Sequence, residues 1–433
     1  MDFSLSSSLV GSAVSNPDKL ALDLQFATDK TLTARKGPTP TFTRASSGTF
    51  VGSDGLIQSA GNNVARFDHD PITLACRGLL IEESRTNLVI QSEDFGTSWS
   101  TDAGKVAVST NVIASPSGVI TADKITENSI LLERKILIGS VTAVAATVYT
   151  FSCYLKAGER NFAQLAFGAT FGSQFQNFII GGVNAGTLGS GSGVTSPQIT
   201  ALPNGWYRCT ATITSAGSGS TQVTIGPLDS STASRWAAYI GTVGSGIYAW
   251  GAQLEAGLFP TSYIPTTTAS VIRSADVCSI TGSSFTSFWN QSAGTLVEVF
   301  EISPNTNTSY VTASNGNIAQ NSVHFDNDTG NIRAVYYSGS SIVAALGLGA
   351  VGTVGTVNKV ATAYAVNDFS ASRNGGTVVT DTLGAVPVSL TQMNIGADER
   401  SQTPQSFYTN KCIKSLSYYR KRLTNAKIQT LTV

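Results

Sequence analysis

Val148-Tyr-Thr-Phe-Ser-Cys-Tyr-Leu-Lys156 puts Tyr149, Phe151, Cys153 and Leu155 on one side of an extended chain, opposite Thr150, Ser152 and Lys156. Successive side chains of a strand point to opposite faces, so this period of two reads as a half-buried β-strand. Residues 206–214 repeat the pattern, with Tyr207, Cys209, Ala211 and Ile213 opposed to Trp206, Arg208, Thr210 and Thr212. Residues 246–255 alternate again, and strict alternation there gathers Tyr248, Trp250, Ala252 and Leu254 on one face. Between such runs, 181–193 reads as a flexible glycine-rich loop. Short alternating strands joined by glycine-rich turns predict a β-sandwich or jelly roll.

Composition agrees with that reading. Charged residues make up 12% of the chain, against about 25% in an ordinary globular protein. The 41% of hydrophobic residues still suffices to build cores. A second β module is expected over 294–433, with strands at 295–302, 323–325, 331–337 and 359–366. Asp326-Asn-Asp-Thr-Gly330 is expected to close a hairpin between two of them. One helix is predicted, at the end: Thr424 as N-cap, then Ala426, Ile428 and Leu431. No heptads and no repeat of 20–50 residues are evident. The predicted fold is therefore all-β: an irregular N-terminal β region, two β-sandwich domains and one short C-terminal helix.

The expected organisation is a short arm at 1–19, an attachment or oligomerisation region at 20–95 and a first sandwich at 96–268. A linker with a leading strand at 269–293 precedes the second sandwich. Charge concentrates in 20–95, where Ser53-Asp54-Gly55 and Asp70-Pro71 signal turns. The charges there should pair at a seam with a neighbour, which makes Arg44, Arg66, Asp68, Glu82 and Arg85 the candidate interface residues.

Several functions are poorly served. Basic and acidic residues balance at 27 each, with no basic block to neutralise phosphates, so a nucleic-acid partner is not expected. No apolar run approaches the length of a membrane-spanning helix, and residues 1–14 lack the basic start of a secretory leader. Synthesis in the cytoplasm with release by lysis is the expectation. The five cysteines are scattered, without C-x-x-C pairs, and read as buried thiols rather than zinc ligands or disulfides. Gly347-Leu-Gly349-Ala-Val-Gly352 matches the dinucleotide fingerprint, but β-branched, glycine-broken sequence follows where a phosphate-binding helix must start. His69 and His324 are far apart and no G-x-S-x-G elbow occurs, which disfavours a serine hydrolase. Paired acids about 5–10 Å apart would suit a glycosidase. Adjacent Glu82 and Glu83 point apart on a strand, as do Glu298 and Glu301.

Two kinds of binding site have candidates. Asp326 and Asp328 could offer oxygens to calcium, although the segment lacks the spacing of an EF-hand loop; no other cofactor is indicated. A sugar platform needs an exposed aromatic ring, for which Trp236 and Tyr239, after a polar loop, and Tyr336 and Tyr337 are the candidates. Trp206 and Trp250 are assigned to the core.

Leu22-Asp-Leu-Gln-Phe26, Thr41-Phe-Thr-Arg-Ala-Ser46, Gly52-Ser-Asp-Gly-Leu-Ile57 and Ala65-Arg-Phe-Asp68 lead into Gly78-Leu-Leu-Ile-Glu-Glu-Ser-Arg-Thr-Asn-Leu88. Ser92-Glu-Asp-Phe95 and Trp99 follow. This run resembles a region of bacteriophage tail proteins. Tyr149-Thr-Phe-Ser-Cys-Tyr-Leu-Lys-Ala-Gly158, Asn204-Gly-Trp-Tyr-Arg208 and Tyr248-Ala-Trp-Gly-Ala-Gln-Leu-Glu-Ala-Gly257 resemble their carbohydrate-binding-module-like sandwich. The C-terminal module, ending Ile413-Lys-Ser-Leu-Ser-Tyr-Tyr-Arg-Lys-Arg-Leu423, is similar to concanavalin/laminin-G-like sandwiches. The resemblance implies a non-enzymatic virion protein of the tail-fibre type, trimeric, recognising host-surface glycan and contacting other tail or baseplate proteins. A capsid decoration or baseplate protein and a tailspike depolymerase are the alternatives.

Overall fold

The computed structural model describes residues 18–101, 104–398 and 407–433; residues 1–17 of the expected N-terminal arm lie outside them. The architecture is all-β, as predicted: two sandwiches, each of two antiparallel sheets.

The sandwich formed by the middle of the chain stacks a six-stranded sheet on a five-stranded one. In the six-stranded sheet, Val148–Ala157 lies between Trp206–Thr214 and Gly246–Ala256, flanked by Gln198–Ala201, Ile120–Glu127 and Val106–Ala114. Tyr149, Phe151, Cys153 and Leu155 enter its core with Cys209, Ala211 and Ile213, as their alternation predicts. The five-stranded sheet runs through Ile136–Ala143, Gly219–Leu228, Phe162–Phe167, Phe175–Ile179 and Thr187–Ser192. That last strand occupies much of 181–193, expected to be a loop.

In Gly246–Ala256 a bulge corrects the expected alternation. The register with Val148–Ala157 shifts between Ser152 and Tyr154, opposite Gly251. Gly251 takes φ +64, in the left-handed region where a side chain is strained, and a Cβ there would meet the Tyr154 ring. Beyond the bulge the faces exchange. Ala252 and Leu254 join the core, while Tyr248 and Trp250 stay on the outer face.

The second sandwich is discontinuous in sequence. Its eight-stranded sheet joins Val379–Asp381, Asp368–Arg373, Val357–Ala365, Ala293–Glu301, Lys411–Tyr419, Cys76–Ile81 and Phe67–His69, with Leu20–Leu24 also paired to Lys411–Tyr419. Its seven-stranded sheet begins with Thr41–Thr43 on Val277–Thr281 and continues through Gln392–Ile395, Thr308–Ser314, Ser322–Asp328, Asn331–Ser338 and Ser341–Ala350. Residues 20–81 thus supply strands to the sandwich of 271–433 and are not a unit separate from it. The middle sandwich is inserted between the two parts.

The strands expected in the C-terminal module are present. Thr329 and Gly330, both at positive φ, make the two-residue turn of the hairpin. The glycines of 347–352 end a strand and are followed by another strand, Val357–Ala365. The helix Asn425–Leu431 starts at Thr424, whose hydroxyl accepts from the Lys427 N–H. Short helices at Phe26–Asp29 and Gly282–Phe288 were not predicted; their buried Phe26, Phe285 and Phe288 plug the discontinuous sandwich.

Candidate functional site

The outer face of the six-stranded sheet is itself buried. Trp206, Trp250, Tyr154 and Tyr263 cluster there with Ile57 and Leu202, so the insert is packed against the 48–60 hairpin. Beside this aromatic layer lies a network of buried charge. Asp276 takes Arg44 at 3.1 Å and also pairs with Arg66. Arg66 reaches Glu82 at 2.8 Å, and Arg273 approaches Glu82 at 3.5 Å. Glu82 further accepts from the Ser262 N–H and hydroxyl, both at 2.7 Å. Burial alone would raise the Glu82 carboxyl, but Arg273, Arg66 and Ser262 bring it down to about 2. Asn87 adds neutral bonds to the Ala252 and Ile264 carbonyls. The network ties residues 44–87, the end of the insert and the 273–276 segment into one joint.

Between the two sandwiches, next to this joint, opens a cavity of about 240 Å³. One wall comes from the insert and the segment after it: Tyr154, Thr200, Arg208, Phe259 and Tyr263. The other comes from the discontinuous sandwich and its hairpin: Thr49, Asp68, Arg77, Glu82, Glu301, Asn410 and Lys411. Gln198, Thr200 and Val354, all exposed, form its mouth.

The ionisable groups in this cleft differ in how they are satisfied. Arg77 grips Glu301 through Nε and Nη2 at 2.8 and 2.9 Å, the forked geometry of a strong pair. Asp68 is 3.8 Å from Arg77 and accepts the Val51 N–H at 2.8 Å. Burial nevertheless pushes its carboxyl up to about 6, against the pull of Arg77 and Val51. Arg208 makes one hydrogen bond, to the Ser152 hydroxyl at 3.1 Å, and lies 5.4 Å from the centre of the Tyr154 ring. Its Nε is buried without a partner, and no carboxylate among the described residues pairs with it. The Lys411 ammonium has no hydrogen bond or ion pair among the described residues, and burial, with Arg77 nearby, holds it below the ordinary lysine value.

Most sites expected from sequence lie elsewhere. Arg44, Arg66, Asp68 and Glu82 are buried within the chain, so the seam at which they pair is intramolecular and they offer no direct surface to a partner. Arg85 is half-buried, bound to Glu83 and the Ala256 carbonyl. Of the aromatic candidates, Tyr336 is in the core of the discontinuous sandwich, bonded to Thr362. Tyr239 is also buried, donating to Glu127 at 2.6 Å. Neither can be a platform for a sugar. Trp236 is half-buried with the Arg235 guanidinium 3.2 Å and the Lys135 ammonium 3.9 Å from its ring centre, so cations already occupy the ring. Tyr337 is half-buried and lies over His324. Between Asp326 and Asp328 the cation is Arg333, bonded to Asp326 at 3.0 and 2.7 Å and to Asp328 at 2.8 Å. Asp326 is a buried strand residue, and no group of three potential metal ligands occurs among the described residues.

Sequence reasoning passed over Arg208 and Lys411. Alternation places Arg208 on the polar face of its strand, and nothing local signals that a second sandwich faces it. All five cysteines are free, four of them buried, and no helix among the described residues is long and apolar enough to cross a membrane.

Fold and cleft together define the class: an all-β, two-sandwich protein with a cleft at the joint of an inserted module. No family model matches the chain, and no curated protein matches it. Among solved structures it is similar to the NanB sialidase of Streptococcus pneumoniae, at 16% identity and a TM-score of 0.31, over 36% of this chain and 26% of that one. It is also similar to a heptameric pentraxin of Limulus polyphemus, at 11% and 0.27, over 34% and 73%. The mouse laminin α1 domains LG4-5 align at 11% and 0.25, over 71% and 91%. The chain thus spans about a quarter of the sialidase, and likeness at this level says nothing of its ligand.

Proposed function

We propose that this chain is a non-enzymatic bacteriophage virion subunit of the tail-fibre type, and that it recognises bacterial surface glycan. The observation that carries the reading is the cleft, whose lining mixes hydrogen-bonding side chains such as Thr200 and Asn410 with apolar ones such as Val354 and Phe259 between two sandwiches. A saccharide offers hydroxyls around its edge and apolar C–H faces, and such a mixed concave lining matches both. The resemblance of 22–99 to phage tail proteins supplies the context. Its most distinctive segment, Gly78 to Leu88, builds the joint through Glu82 and Asn87. As a trimer beside other tail or baseplate proteins, several weak sites per particle would add up to firm adhesion.

A second reading has one observation of its own. Asp68 and Glu301 both line the cleft and both lie against Arg77, and two neighbouring carboxyls, one of them raised to about 6, are the groups a glycosidase uses.

The test is binding of the labelled protein to a panel of bacterial strains, before and after periodate oxidation of surface glycans, with released saccharide measured in parallel. Periodate-sensitive binding without release supports the adhesive subunit. Shortened glycan chains, lost in Asp68→Asn, would establish the depolymerase. Binding to no strain would transfer the weight to an architectural role as capsid decoration or baseplate protein.

A further inference from the structure

The described cleft holds three carboxylates and three cations, and they are not equivalently matched. Glu82 is bound by Arg66, Arg273 and Ser262. Glu301 takes the forked bond from Arg77, which also faces Asp68. Every cleft carboxylate therefore has a guanidinium within 4 Å. The reverse does not hold: Arg208, on the insert wall, has a single bond to a neutral hydroxyl. Lys411, on the opposite wall, has none to its ammonium among the described residues.

Such an arrangement is costly unless something completes it. A guanidinium has five donors in a planar fork, and a buried donor without a partner loses its hydration for no return. The Arg208 Nε is in that state. Its ring neighbour Tyr154 and its bond to Ser152 hold the guanidinium plane, so the fork is oriented before any ligand arrives. These two unmatched cations lie in a half-enclosed space, where water screens them less than at an open surface.

We propose that the cleft selects an acidic saccharide, whose anionic substituent, a uronate-type carboxylate or a sulfate ester, is received by Arg208 and Lys411 from opposite walls. This inference rests on the glycan-binding reading above and adds the chemical class of the sugar. A carboxylate or sulfate would accept from the Arg208 fork and from the Lys411 ammonium, whose neighbouring carboxylates, Glu301 and Asp68, already face Arg77. The uncharged edge of the sugar would meet Thr200, Asn410 and the Phe259 ring. A neutral saccharide would leave both cations as they are.

The experiment uses the full chain and a panel of tri- and tetrasaccharides in matched pairs. Each uronate is paired with its methyl ester and each sulfated sugar with its desulfated form. Affinities are measured by calorimetry for the wild type, Arg208→Gln and Lys411→Met, with thermal melts showing that each variant folds. The expected result is that at least one charged member binds tenfold or more tighter than its neutral partner. That preference should shrink at least tenfold in either variant and weaken as sodium chloride rises. Whether the preferred member carries carboxylate or sulfate identifies the source of the anion. Neutral partners that bind as tightly as charged ones, or preferences unchanged in both folded variants, would overturn the inference and leave glycan recognition standing. Binding of no member, charged or neutral, would overturn both. Should Arg208→Gln fail to fold, Lys411→Met decides alone.

Discussion

Glu298→Gln should make the protein more stable above mild acid, and by an amount that grows with pH. Glu298 lies on Ala293–Glu301, on the same face as Leu296 and Phe300, and so points into the core of the discontinuous sandwich. It is fully buried, and neither carboxylate oxygen has a partner among the described residues. Burial alone lifts its pKa well above the ordinary 4.5. The folded protein therefore keeps a proton that the unfolded chain releases above pH 4.5. Where the unfolded state binds fewer protons than the folded one, stability falls with rising pH, by about 1.4 kcal/mol per unit for a single group. The loss begins near pH 4.5 and stops once pH passes the folded value. Glutamine has nearly the same shape and nothing to titrate. The two proteins should thus be close in stability at pH 4.5 and separate with a slope approaching 1.4 kcal/mol per unit above it. Urea midpoints measured on both proteins from pH 4.5 to 7.5 check this, because all other titrations cancel in the difference. Parallel profiles, or a variant less stable at every pH, would refute the buried neutral acid.

Other expectations follow from the same structure. Asp276→Asn removes the charge shared by Arg44 and Arg66 and should cost about 3–5 kcal/mol in chemical denaturation, the usual penalty for stranding a buried partner. Tyr336→Ala should cost about 3–5 kcal/mol as a core truncation while leaving any saccharide affinity unchanged; lost affinity in a folded variant would return Tyr336 to the binding site. Asp68, raised to about 6 in the company of Arg77, Glu82 and Glu301, gains a proton as pH falls through that value. Removing this negative charge should tighten acidic-saccharide binding between pH 7 and 5, a gain that titration of Asp68→Asn should not show.

Much of the fold was legible in sequence because a strand's side-chain period is short and local. Tyr149 to Leu155 and Tyr207 to Ile213 declare their faces without reference to anything distant. Thr424 announces its helix through a cap that depends on only three residues. Alternation failed where backbone geometry intervened, at the Gly251 bulge, which exchanges the faces of Trp250 and Leu254. It was also incomplete where a sheet is covered twice, since Trp206 and Cys209 are both buried on opposite faces. The charges of 20–95 were rightly expected to pair, but Arg66 and Asp276 lie 210 positions apart. No local signal tells an internal seam from an intermolecular one. Tyr336 and Tyr337 show the same limit: one of the two had to face away from the core, and only the register with 322–328 decided which. The cleft was invisible for this reason, because Arg208 and Lys411 come from two sandwiches whose meeting no short motif encodes.

The measurement that bears most directly on the account is saccharide binding before and after the mouth of the cleft is blocked. Thr200 is exposed on the edge strand Gln198–Ala201 and lines the cavity, so Thr200→Trp should fill the entrance without disturbing either core. The account predicts that glycan binding by the folded wild type is lost in the equally stable Thr200→Trp protein. Undiminished binding in that variant would contradict the account, and recognition would have to be sought on another face.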